Sequence, residues 1–330
     1  MTEAALAALA LLSLGFLSTS ALLPPLSRAL RRRGIVGEDV HKPDRPLLPE
    51  MCGLAVPISL AISASALLLI GPRRGWALAL IGTAAISALV GARDDLRPMG
   101  PRLKPLLAGL AGIPLLALGA YSPFPSLPFI GRTRLTLVYP LAIPLGISVT
   151  ANAVNMMDVF NGSMTGTCSI VLLSMALCLS LSGRWDLVPL ALALLGSLLA
   201  LHRLNRYPAK VFIGDAGDLC VGASIGALAI MGGIEVPTAV AMMPHIMNAF
   251  YGLSSMGGLY ERRQARRRPV RLEADGRLAA TSDGLAPMTL ARVILAGGPL
   301  REGEVVKAMT ALTAISSGLA VLTFLGLIPR

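Results

Sequence analysis

Carboxylate and amide side chains stand at three points where apolar segments of the chain begin or end. Asp94 and Asp95 close one segment, Asn155 and Asp158 close another, and Asp215 precedes a third. Oxygen atoms of this kind are the ligands that Mg²⁺ prefers, commonly one or two carboxylates together with substrate phosphates. Glycines beside Asp215 add backbone N–H groups at a helix start, where phosphate binds readily. These residue types predict metal-assisted phosphoryl chemistry.

Basic side chains that could bind phosphate lie in the same connections. Lys104 follows the aspartate pair by nine residues, and six arginines fall between positions 262 and 271. Arginine is suited to bidentate phosphate recognition, but such a run also anchors a membrane protein without any ligand. The aspartate pair alone equally fits a solvated turn. Asn152 and Asn155, which share a helix face, equally fit hydrogen bonding between helices.

The elements that must position these residues are membrane helices. The chain has 330 residues, of which 54% are hydrophobic and 14% charged, with a mean hydropathy of +0.70. A soluble domain has about 25% charged residues, so this composition predicts an all-α bundle integral to a membrane. Runs long enough for about ten transmembrane helices lie near 4–26, 52–70, 76–92, 105–120, 136–157, 164–182, 187–202, 219–233, 236–258 and 305–328.

The distribution of positive charge predicts the topology. Glu3 precedes the first span and four arginines follow it, which favours a retained span with its N-terminus outside. Alternate connections, including Lys307 at a boundary, hold 23 of the 29 Lys and Arg residues. That face is predicted to be cytoplasmic, with both termini outside a multi-pass cell-membrane protein. We expect residues 1–330 to form one domain, with 259–304 as an arginine-rich cytoplasmic loop.

Several other interpretations are weaker. The net charge of +11 does not predict nucleic-acid binding, because the basic residues alternate with spans. The four cysteines show no metal or disulfide spacing. We expect Asp218 to cap the helix that follows it and His245 to be a packed core histidine.

The motif order resembles the polyprenyl-phosphate N-acetylhexosamine-1-phosphate transferases, and most closely the dolichyl-phosphate N-acetylglucosamine-phosphotransferases of eukaryotes and archaea. The resemblance extends from about Lys42 to Arg271. It rests on Lys42 with Pro49-Glu50 and Gly53, Asp94-Asp95 with Lys104, Asn152 to Asn155 through Asn161-Gly162, Phe212-Ile-Gly-Asp215, and Pro244 to Tyr251.

This resemblance implies a Mg²⁺-dependent enzyme, with Mn²⁺ as a substitute cation, and a site open to the cytoplasm. The implied reaction transfers N-acetylhexosamine 1-phosphate, most simply GlcNAc 1-phosphate, from a UDP-sugar to polyprenyl or dolichyl phosphate. UMP is released. Such a reaction is the first membrane step of lipid-linked glycan assembly, as in N-glycan biosynthesis and protein glycosylation. Another UDP-sugar is left open, and so is a homodimer in the bilayer.

The resemblance also implies roles for individual residues. Asn155 and Asp215 would hold Mg²⁺, with Asp158 as an additional carboxylate near the metal. Asp94, Asp95 and Lys104 would form the catalytic group, with Lys104 at a phosphate. Phe212 would stack on uracil and Asn161 would bind the nucleotide. Further substrate contacts fall to Lys42, Glu50, Arg267, Arg268 and Arg271, with Arg266 also among the candidate arginines.

Two alternatives are left open. A secondary transporter would explain polar residues within spans, although the sequence shows no inverted pair of broken helices and the arginine loop would go unexplained. For the reaction itself, a lipid phosphate is already mostly dianionic at neutral pH, which favours direct attack with Asp94 and Asp95 as positioning groups. A carboxylate acting as the base is the second possibility.

Overall fold

A computed structural model describes residues 2–70, 74–127, 130–258 and 267–327, and the architecture is an all-α membrane bundle, as predicted. Seven of the helices are long and apolar enough to cross a membrane. They are α1 (Thr2–Arg32), α3 (Arg74–Leu96), α6 (Val138–Met157), α7 (Ser163–Leu181), α8 (Val188–Asn205), α9 (Asp215–Gly232) and α13 (Glu302–Leu327).

The other three predicted spans correspond to shorter apolar helices. These are α2 (Ala55–Ile70), α4 (Leu103–Gly109) continued by α5 (Ile113–Ala117), and α10 (Glu235–Ala241) continued by α11 (Met243–Ser255). Two of the three are broken, which the apolar pattern did not predict. Pro114 and Pro244 lie in the first turn after each break, where a missing backbone N–H is tolerated.

Helix α9 forms the centre of the bundle and is buried along its whole length. It packs against α3 and α6, while α1 packs against α8, and α7 lies between α8 and α13. Gly91 of α3 meets the backbone of Asp215 so closely that no Cβ atom would fit between them. This close approach brings the C-terminal end of α3 to the first residue of α9.

Short antiparallel hairpins and one short helix complete the polar ends of the bundle. They are β1–β2 (Val36–Glu38, Leu47–Pro49), β3–β4 (Ser126–Leu127, Gly131–Arg132), β5–β6 (Val270–Leu272, Leu278–Ala280) and α12 (Leu290–Ile294). Val270, Leu278 and Leu290 join Met157 and Phe160 in a second apolar cluster at the ends of α6 and α13. The described part of the predicted arginine loop is therefore a folded layer on the bundle.

The remaining interpretations concern single side chains. His245 is fully buried and its Nε2 lies 2.9 Å from the Thr167 hydroxyl, as expected of a core histidine. All four cysteines are buried. The sidedness of the bundle, with both termini outside, stays a prediction.

Candidate active site

The ammonium group of Lys104 in α4 lies among side chains from three other helices. Its Nζ is 2.6 Å from Asp215 Oδ2 and 3.0 Å from Asp94 Oδ2, and it donates to Asn155 Oδ1 at 3.2 Å. The Asn155 amide in turn donates to Asp215 Oδ1 at 2.6 Å and to Asp218 Oδ2 at 3.4 Å. We call these five residues the Lys104 cluster. It joins three motifs, and its contact between Lys104 and Asp215 links residues that are 111 positions apart in the chain.

The cluster is withdrawn from solvent, since Lys104, Asp94, Asp215 and Asp218 are each less than 10% exposed. The expectation for Asp218 is wrong. Helix α9 begins at Asp215 with Gly214 as its N-cap, so Asp218 lies inside the first turn and faces Asn155 instead of capping. Asn152 differs from its neighbour Asn155, because its amide donates within its own helix to the Ser148 carbonyl at 2.8 Å.

The two adjacent aspartates have different partners. Asp95 accepts the backbone N–H of Asp215 at 2.9 Å and of Ala216 at 3.0 Å, one on each carboxylate oxygen. It therefore caps α9 from another helix, at the positive end of the helix dipole. Asp94 faces the other way, toward Lys104, and its second oxygen accepts the Met99 N–H at 2.6 Å.

The donor set of the Lys104 cluster fits Mg²⁺ in chemical type. Among the residues that the structure describes, no three His, Cys, Asp or Glu side chains converge as a self-sufficient metal site. Asp215, Asp94 and Asn155 nevertheless offer oxygen atoms around a position already suited to a cation. Mg²⁺ commonly takes one or two protein carboxylates and completes its shell with water and phosphate. Three carboxylates against one lysine also leave the cluster formally negative.

A second buried lysine lies at the same end of the bundle. Lys42 pairs with Glu302 of α13 and with Asp39 at 3.3 Å, and all three side chains are no more than 11% exposed. Asn161 joins them, because its backbone N–H donates to Glu302 Oε1 at 2.8 Å and its amide donates to Asp39 Oδ2 at 3.0 Å. These four residues are the Lys42 cluster. Lys42 also lies 4.5 Å from the ring centroid of Tyr207.

Asp39 and Glu302 are polar residues that sequence reasoning missed. A local signal existed for Asp39, which is three residues before Lys42. None existed for Glu302, since it lies 260 residues from its partner and resembles an ordinary acidic residue in the first turn of a helix.

Phe212 and Glu50 meet at the first hairpin. The Phe212 N–H donates to the Pro49 carbonyl at 2.8 Å, and the Phe212 carbonyl accepts from Cys52 at 3.0 Å. The half-buried Phe212 ring and the Glu50 carboxylate both lie beside Gly37 of β1. The segment before α9 is thereby joined to the segment before α2.

The described arginines of the 262–271 run lie on the folded layer formed by β5–β6 and α12, which we call the outer layer. Arg267 lies 2.9 Å from Asp283 and Arg271 lies 3.0 Å from Glu273, with both guanidinium groups about half exposed or more. The Leu285 N–H and the Arg267 charge lower the pKa of Asp283 below its ordinary value.

Two of the predicted site residues, Arg268 and Asp158, remain to be located. Arg268 is exposed, and Asp158 stands at the C-cap of α6, one turn from Asn155. Arg262, Arg263 and Arg266 lie outside the described residues.

Comparison with known proteins agrees with this arrangement. The family model described as glycosyl transferase family 4 matches residues 77–233, which run from α3 to α9 and contain the whole Lys104 cluster. A protein of Methanocaldococcus jannaschii, provisionally named as a glycosyltransferase, is 33% identical over 82% of this chain and 81% of its own.

Two further relatives carry more specific names. A protein of Saccharolobus solfataricus, provisionally named as a UDP-N-acetylglucosamine–dolichyl-phosphate N-acetylglucosaminephosphotransferase, is 27% identical over 89% of this chain and 90% of its own. A phospho-N-acetylmuramoyl-pentapeptide-transferase of Moorella thermoacetica is 34% identical over 56% of this chain and 61% of its own. From the site and these similarities together, the chain belongs to glycosyl transferase family 4.

Proposed function

We propose that this protein transfers N-acetylhexosamine 1-phosphate, with GlcNAc 1-phosphate as the first candidate, from a UDP-sugar to a polyprenyl phosphate of the dolichyl type. The observation that carries the proposal is the Lys104 cluster, a buried set of carboxylates, amide and ammonium at one end of a membrane bundle. The name of the Saccharolobus solfataricus relative supports the choice of sugar and lipid. The predicted orientation would open this end to the cytoplasm.

In this proposal Mg²⁺ is held by Asp215 and Asn155, with Asp94 beside them and Asp158 one turn away. The metal ion would neutralise the charge of the sugar nucleotide pyrophosphate. Lys104 would exchange part of its present contact with Asp94 and Asp215 for a phosphate oxygen, because an ammonium bound to several oxygens can share its three donors among them.

The reaction would be a direct displacement. A lipid phosphate oxygen would attack the β-phosphorus of the UDP-sugar while the bond from that phosphorus to the oxygen bridging it to the α-phosphorus breaks, so that UMP leaves. The attacking group needs no strong base, because a phosphate monoester has its second pKa near 6. Asp95 acts as a positioning residue, since both of its oxygens already accept N–H groups of α9. Asp94 is the carboxylate that faces the reacting groups.

The nucleotide would lie between the β1–β2 hairpin and the connection from α6 to α7, which contains Asn161. Phe212 would stack on uracil, with Glu50 beside it, and Asn161 would contact the nucleotide while Lys42 and Glu302 fix its backbone. Arginines of the outer layer, among Arg267, Arg268 and Arg271, would meet the pyrophosphate and sugar. A transporter is the less supported function, because the family match covers all of the Lys104 cluster.

The test is incubation of the purified protein with Mg²⁺, a polyprenyl phosphate and separate UDP-sugars, with UMP and lipid-linked product both measured. We expect UDP-GlcNAc or another UDP-N-acetylhexosamine to give both products in equal amounts. UDP-glucose serves as the control that lacks the acetamido group. UMP without lipid product, or no turnover with any UDP-sugar, would refute the proposed reaction.

A further inference from the structure

A side groove of about 490 Å³ lies between α7, α8 and α13, apart from the Lys104 cluster. Its lining includes Asn161 and Gly162 at the start of α7 and Arg206 at the end of α8, so it reaches the end of the bundle where the active site lies, and we call this end of the groove its mouth. None of the residues of the Lys104 cluster lines it. A phosphate bound at this mouth would therefore lie outside the Lys104 cluster, although Asn161, which we place at the nucleotide, also lines the groove.

The floor of the groove has the length and character of a hydrocarbon binding surface. On α13 its lining runs from Gly303 to Ala314, which is roughly 16 Å at a rise of about 1.5 Å per residue. Gly166 on α7 and Ala311 on α13 leave the middle open, because neither has a side chain large enough to fill it. About 16 Å is half the hydrocarbon thickness of a bilayer, so one chain in one leaflet fits.

The mouth of the groove is positively charged. Arg206 at the end of α8 and Lys307 in α13 both line it and are both exposed. No acidic residue is among the described residues that line the groove. Lys42 is different, because it is paired with both Glu302 and Asp39, and none of these three residues lines the groove. Arg206 and Lys307 thus present their charge outward at the level where headgroups of an anionic leaflet would lie.

We propose that this groove binds an anionic membrane phospholipid, with the headgroup phosphate between Arg206 and Lys307 and one chain along α13. Cations over an apolar path match the two ends of such a lipid. A zwitterionic lipid carries a positive group of its own, which would meet Arg206 and Lys307 unfavourably. The occupant is distinct from the polyprenyl phosphate acceptor, which in our proposal reacts at Lys104.

The experiment is a lipid titration followed by native mass spectrometry on the purified full chain in detergent. The probes are phosphatidylglycerol and phosphatidylcholine with identical chains. Each membrane-surface cation contributes about fivefold in affinity for an anionic lipid, so Arg206→Gln with Lys307→Gln should weaken phosphatidylglycerol binding roughly 25-fold. The matched control is Arg203→Gln with Arg301→Gln, which removes the same charge from exposed neighbours on or beside the same helices but outside the groove. We expect that control to change binding less than about twofold.

A second pair of variants tests the chain path without changing charge. Ala314→Phe should fill the groove and abolish the retained lipid, whereas Ile315→Phe, on an exposed position outside the groove, should not. Thermal midpoints establish that each variant is folded. Equal binding of phosphatidylcholine, or equal losses in the two double variants, would overturn the proposal. Displacement of phosphatidylglycerol by stoichiometric polyprenyl phosphate would also overturn it and assign the groove to the acceptor.

Discussion

The two buried lysines at one end of this bundle differ in what surrounds them. Lys104 lies among carboxylates and an amide that outnumber its charge, and these groups stand at the ends of three other helices. Lys42 is fixed by Glu302, Asp39 and the aromatic ring of Tyr207, while Asn161 completes the hydrogen bonding. Carboxylates outnumber the ammonium group in both clusters, three to one around Lys104 and two to one around Lys42, but the two carboxylates around Lys42 also accept the backbone N–H and the amide of Asn161. Acceptors used in this way are suited to holding a backbone in place, whereas the larger excess of buried oxygen ligands around Lys104 is suited to chemistry. We therefore expect the first cluster to control turnover and the second to control nucleotide affinity.

The largest effect should follow loss of the Asp215 charge. Asp215→Asn removes the carboxylate that contacts both Lys104 and Asn155, and we expect turnover to fall by about 10³-fold or more. UMP release at saturating Mg²⁺ measures it. The control is Asp186→Asn, an aspartate paired with Arg184 in the connection between α7 and α8. Near-normal turnover of Asp215→Asn would remove the contrast between the two clusters.

The aspartate pair offers a sharper test, because the two residues have the same chemistry and different partners. Asp94→Asn should lower turnover about 10²-fold, since it removes the charge facing Lys104. Asp95→Asn should lower it about tenfold or less, because the asparagine oxygen still accepts one of the two N–H groups at the helix start. Asp95→Ala should instead lower the thermal midpoint, with about 1–2 kcal/mol of stability lost. The reverse order of the two asparagine variants would contradict the assigned roles.

Many residues of the Lys104 cluster could be predicted from the sequence, and there are physical reasons why the other features could not. Asp94, Lys104, Asn155 and Asp215 were all identified, because polar residues at the ends of apolar segments stand out. The different roles of Asp94 and Asp95 were not predicted. Two adjacent aspartates at the end of one helix cannot be distinguished until the position of α9 is known. Glu302 could not be found, because a contact over 260 residues depends on how α13 packs. The breaks before Pro114 and Pro244 were hidden by continuous apolar composition.

A smaller and different effect should come from Glu302. Glu302→Gln keeps an acceptor for the Asn161 N–H but removes the charge beside Lys42. We expect KM for the UDP-sugar to rise about tenfold with kcat changed less than about threefold, as for a residue that positions a binding group. Glu304→Gln, an exposed glutamate in the same helical turn, is the matched control. A fall in kcat with KM unchanged would place Glu302 with the reaction itself.

The smallest effects should come from single arginines of the outer layer. Their present ion pairs are exposed, and such pairs contribute about 0–1 kcal/mol, so stability should hardly change. At least one of Arg267→Ala, Arg268→Ala and Arg271→Ala should still raise KM for the UDP-sugar about tenfold, through one lost charge-assisted contact with phosphate. Arg277→Ala, which loses its pair with Asp275 on the same hairpin, is the control. If kcat and KM are unchanged in all three variants, these arginines serve only to fix the membrane topology.

The complete burial of α9 has a consequence for how the protein meets membranes of different thickness. In their apolar stretches α1 and α13 have only 28% of residues buried, against 100% for α9. Hydrophobic mismatch acts on helices that touch lipid, by tilting them or by deforming the bilayer around them. Such adjustments fall on α1 and α13, while Asp215 stands on a helix shielded by protein along its whole length. The first turn of α9, which carries Asp215 and Asp218, is thereby kept out of contact with lipid.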